Sequence, residues 1–207
     1  MAEDLTKEAF FDRLKALCPT VDKLRLMLGE ARHAFNRHSL AKLAEIARLQ
    51  DDITFDLDPI FEQVESGLGK ISEADKPYLL KLQGILSHLE LMADKIAGLA
   101  DPIRRKGNHG AILSDQDFFH VNDLFSQQMG LMRALVDIFH YNDPSLKAYL
   151  LHEAQKLKDS CFLDEGEHET RMTWSFGQPD AWSIYLDILS HSREILGHLM
   201  DLVKILG

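Results

Sequence analysis

Apolar residues recur along this chain at spacings of three and four, a period that admits little besides packed α-helices. Leu14, Leu17, Val21, Leu24, Leu28, Ala31 and Phe35 share one helical face, with Pro19 expected to kink or restart the helix. A second run opens after Ser39 and carries Leu43, Ile46, Ile53, Leu57, Ile60 and Val64. Pro59 is expected to distort it, and Gly67 and Gly69 to end it. A third starts at a capping-box-like Ser72…Asp75 and continues through Leu82, Ile85, Leu89, Met92, Ile96 and Leu99. Pro102 falls near its end, and RRKG (104–107) supplies cations and then glycine, a C-terminal signature.

Beyond GNHGAILS (107–114) the scheme repeats. Ser114 or Asp115 caps a helix to about Tyr141. Asp143 followed by Pro144 starts another, to about Met172. TWSFGQPD (173–180) reads as a turn, and a last helix carries Trp182, Tyr185, Ile188, Ile195, Leu199 and Leu202. Strand and hairpin signals are missing. The expected class is all-α: two tandem antiparallel three-helix bundles, spanning 1–106 and 115–207 and joined by a linker at 107–114.

Two matched segments support a duplication. ILSH occurs at 85–88 and again at 188–191, and EIARLQDDITFDLD (45–58) lies on EAQKLKDSCFLDEG (153–166) without gaps. Their order is the same in both halves, which makes an internal repeat the economical reading.

The formal net charge of −10 argues against a nucleic-acid binder, whose affinity comes largely from Lys and Arg neutralising phosphates. Cys18 and Cys161 are far apart and outside any CxxC spacing, which suits a reducing cytoplasm rather than a disulfide framework. The acidic N-terminus lacks a secretion signal, and no stretch approaches the ~20 apolar residues of a membrane span.

Residues four apart lie on one helical face, so paired ligands at that spacing can face one ion. The candidate metal ligands are Asp52 with Asp56, Glu90 with Asp94, Asp164 with His168, and Glu194 with His198. Each half would supply one pair from each of two adjacent helices. Acidic pairs also occur on any solvated helix. What favours ligation is the absence of an intervening lysine within the first two pairs and the recurrence of pairs in both halves. Carboxylates suit hard cations, and the histidines tilt the second set toward iron or zinc. Glu165 and His168 fit one ExxH, whereas di-iron bundles need the motif on two helices. No P-loop, nucleophile elbow or HExxH is present.

These features resemble the PhoU family of phosphate-uptake regulators. LELMADKIA (89–97) keeps Leu89, Glu90, Asp94, Ile96 and Ala97 of the family's LERIGD-type segment, and DDITFDLDPIFE (51–62) fits its spaced acids. REILGH (193–198) keeps Glu194 and Gly197, with His198 in place of Asp. The sequence departs at Leu91, where the family has Arg, and at Ser160, the counterpart of Asp52. The resemblance implies a cytoplasmic, non-enzymatic homodimer, in peripheral contact with the inner face of the membrane. It also implies multinuclear metal clusters, and a phosphate transporter or membrane histidine kinase as partner. Two alternatives stand beside it: a metal-free helical adaptor and a bundle-type metal-dependent enzyme.

Overall fold

The structure, a computed structural model, describes residues 7–69, 72–73, 75–166 and 179–207. Among these residues there are eight helical segments, in chain order α1 (Lys7–Ala16), α2 (Cys18–Arg37), α3 (Leu40–Leu68), α4 (Lys76–Gly98), α5 (Ala100–Asn108), α6 (Asp115–Tyr141), α7 (Pro144–Gly166) and α8 (Pro179–Ile205). No strand occurs among the described residues. They form six rods, because α1–α2 and α4–α5 are each one rod broken at a single residue, Leu17 and Leu99. Of the turn expected at 173–180, residues 173–178 lie outside the described residues, as does the end of the fifth expected helix, while Pro179 and Asp180 already belong to the last helix.

The prolines explain where the rods break. Pro19 sits in the first turn of α2, where its missing N–H costs nothing, and α1 stops just before it. Pro102 does the same in the first turn of α5, so the third rod breaks at Leu99 rather than running straight to RRKG. Pro59 behaves differently: α3 runs through it for 29 residues. Pro59 is exposed and so is Phe55, whose carbonyl loses the partner; solvent can hydrate that carbonyl.

The helix starts follow side-chain chemistry. Ser114 Oγ accepts from the Asp117 N–H at 3.1 Å, and Asp143 Oδ1 accepts from Ser145 and Leu146 at 2.6 and 3.2 Å. Ser72 Oγ accepts from the Asp75 N–H at 3.3 Å and donates to its carboxylate at 2.7 Å.

Each half packs its three rods against one another, and the halves share one continuous apolar core. The joint is made by first and third rods: α2 packs on α6, and α4 on α8. The second rods, α3 and α7, touch only rods of their own half among the described residues. Arg32 and Asn36 meet Asn122, Gly29 faces Met129, and Cys18 reaches His140, so α2 and α6 run antiparallel. Gly84 against Ile205, His88 against His198 and Gly98 against His191 make α4 and α8 antiparallel too.

Burial fixes the register of the duplication. At an offset of 103 residues, Leu82, Ile85, Leu86, Met92, Ala93, Ile96 and Leu99 fall on Tyr185, Ile188, Leu189, Ile195, Leu196, Leu199 and Leu202, all of them buried. On the second rods the offset is 108, and it places Ile46, Leu49 and Ile53 on Ala154, Leu157 and Cys161, again all buried.

Candidate functional site

In that register the acidic pairs of the two halves do not coincide. Glu90 and Asp94 correspond to Arg193 and Gly197, while Glu194 and His198 correspond to Leu91 and Lys95. One position along a helix is ~100° around its axis, so the two pairs point in different directions relative to their bundles. The recurrence of pairs at matching places is thus not a feature of the fold.

In the first half the four expected ligands divide between two faces of α3. Asp56 Oδ2 accepts from Lys23 Nζ of α2 at 2.6 Å. Asp52 Oδ2 accepts from Arg48 at 2.5 Å, and the Asp52 carbonyl oxygen lies 3.4 Å from Lys23 Nζ. This pair faces α2. Glu90 and Asp94 face the other side of α3, where Gln50 Nε2 donates to Asp94 Oδ1 at 2.7 Å. The Glu90 carboxyl is pushed above the usual range by burial first, then by the charges of Asp94 and Asp58. Asp58, not Asp52 or Asp56, is therefore the α3 carboxylate whose field reaches Glu90. Among the described residues no Lys or Arg forms an ion pair with Glu90, Asp94 or Asp58.

In the second half, Glu194 is paired with Lys95 of α4, whose hydrogen bond holds its carboxyl below the usual range. His198 turns instead to His88, with 3.3 Å between their Nδ1 atoms. Burial, then the charges of His88 and Lys95, lower the affinity of His198 for a proton. The Asp164 side chain and the whole of His168 lie outside the described residues.

No three His, Cys, Asp or Glu side chains among the described residues gather closely enough to hold one metal ion. Asp52 and Asp56 have cations on them and are turned from Glu90 and Asp94. The first-half set, taken as one centre, does not fit a shared metal ion.

The sequence reading did not count Lys23, Arg48 or Asp58 among the site residues, and it placed His88 of ILSH at the border of the core beside the acidic pair. Arg48 stands four residues before Asp52, a spacing legible as a helical ion pair. Lys23 and His88 could not be found that way, because their partners are supplied by packing of distant rods.

The Cys18 Sγ lies 3.6 Å from His140 Nε2, the one Cys–His approach among the described residues. Burial and the charges of Asp22 and Asp137 push this thiol up, so it stays protonated, unlike an activated nucleophile.

No family model matches the sequence, and no curated protein matches it. Solved structures do. The crystal structure of PhoU from Pseudomonas aeruginosa superposes with a TM-score of 0.84 at 14% identity, covering 97% of each chain. That of the phosphate transport system regulatory protein PhoU from Streptococcus pneumoniae gives 0.80 at 14% identity, over 97% of this chain and 95% of that one. Over 97% of its length this chain matches the PhoU fold.

Proposed function

We propose that this chain is a non-enzymatic regulator of phosphate uptake, acting on a phosphate transporter or on the sensor kinase that reads it. The observation that carries the reading is the likeness to two PhoU structures over 97% of this chain, one of them described as a phosphate transport system regulatory protein. Residence in the cytoplasm, a homodimer and contact with the inner face of the membrane belong to the same proposal. No described helix is long and apolar enough to cross a membrane. The reading requires no metal at Asp52 and Asp56, where Arg48 and Lys23 already supply positive charge. That pairing also favours a metal-free adaptor as the second reading.

The test is deletion of the gene in its own host, with inorganic phosphate uptake and a phosphate-starvation reporter measured in replete and starved medium. Regulation predicts uptake or reporter activity that no longer responds to phosphate and is restored by the intact gene. Wild-type responses of both in the deletion strain would refute it.

A further inference from the structure

His88 of α4 and His198 of α8 come from opposite halves and meet on the joint between them. Their Nδ1 atoms are 3.3 Å apart, their ring centroids 5.5 Å apart and their planes inclined by 44°. Both are half-buried, so the rings are held by packing yet within reach of a solvated ion.

A shared proton explains that distance, and so does a cation. A zinc-type ion bound at about 2.0–2.1 Å with tetrahedral angles sets two nitrogen ligands about 3.3–3.4 Å apart. The charges around the rings are paired with one another. Glu194 lies one turn before His198 on α8 and Asp201 three residues after it, and each is occupied by a lysine, Lys95 and Lys204. Two imidazoles select borderline d-block ions over magnesium or calcium, which prefer oxygen. Binding changes no net protonation: the proton between the rings moves to a distal Nε2, and both Nδ1 lone pairs become available.

We propose that His88 and His198 bind one divalent ion of the zinc, nickel or copper class through their Nδ1 atoms, tying α4 to α8. The remaining coordination positions are open to water. The site differs from the carboxylate pairs of α3 and α4, and it stands whether or not the chain regulates phosphate uptake.

The test uses the full chain, stripped with EDTA and desalted, then titrated with zinc at neutral pH by calorimetry. One zinc per chain is expected, with affinity weakened at least tenfold in His88→Asn and in His198→Asn. It should be unchanged in the Asp52→Asn/Asp56→Asn double variant. Far-UV circular dichroism checks that the variants fold. Cobalt added to the wild-type chain needs no variant, and it should give the intense visible bands of a tetrahedral nitrogen-containing site. The proposal is overturned if wild-type protein takes up no zinc and gives no cobalt bands. It is equally overturned if both histidine variants bind as the wild type does, or if binding disappears in the aspartate variant alone.

Discussion

Gly98 is where α4 and α8 come closest to a hard steric limit. A Cβ there would stand 2.4 Å from His191 Cε1, 2.8 Å from Nδ1 and 3.1 Å from Nε2. All three atoms belong to one rigid ring, so no flexible tip can swing clear. The ring must leave its rotamer or the two helices must part. Overpacking of this kind costs about 1–3 kcal/mol. Against it stands the helix-propensity gain of Ala over Gly, at most about 1 kcal/mol and less at the last residue of a helix. We therefore expect Gly98→Ala to destabilise the chain by about 1–2 kcal/mol. Gly130→Ala is the control: it lies within α6 with nothing within 4 Å of the added Cβ, and should gain up to about 1 kcal/mol. In a His191→Ala background the obstacle is gone, and Gly98→Ala should become neutral or stabilising. Urea unfolding followed by circular dichroism reads all four variants. Equal effects of Gly98→Ala in the two backgrounds, giving no coupling between the positions, would refute the argument.

Three further expectations can be checked on the same protein. His191 is held below its usual pKa by burial first, with the Lys95 charge acting the same way and Glu194, Asp187 and Asp101 partly opposing. The unfolded chain therefore takes up a proton below about pH 6.5 that the folded chain resists. Stability should decline as pH falls from that point toward the folded value. His191→Gln should flatten this part of the pH–stability curve, and an unchanged slope would count against the burial argument. Asp143→Ala removes the acceptor for two N–H groups at the start of α7 and should cost about 1 kcal/mol in the same unfolding assay. Cys18 and Cys161 are both buried, so a thiol reagent should label the native chain far more slowly than the urea-unfolded one.

The fold was legible in the sequence because its determinants are local. Helical spacing, Ser114, Asp143 and the first-turn position of Pro19 each specify an element from residues within a few positions. Pro59 and Pro102 show the limit, since both stand in helical sequence but only one lies beside a break. The difference is exposure, which a single helix does not reveal. The candidate site was less legible for a related reason. Ligand pairs were matched between halves by letters, Glu90 with Glu194, while the fold is matched by burial, one residue away. A four-residue spacing says that two side chains share a face but not which neighbour that face meets. Lys23 on Asp56 and His88 on His198 are decided only by the way the rods pack.

The joint between the halves is built like the contact of a two-fold dimer, with α4 against α8 and α2 against α6, each pair antiparallel. In a true symmetric dimer every substitution is copied, so any change at the contact appears twice and must be tolerated twice. Fusion into one chain removes that constraint. The 103-residue register carries the His88–His198 contact onto His191 and Lys95, and there a lysine stands where the first copy has its second imidazole. One face of the seam could keep two facing rings while the other turned to a salt link between Lys95 and Glu194. A single polypeptide can thus hold two different chemistries at places that symmetry would force to be the same.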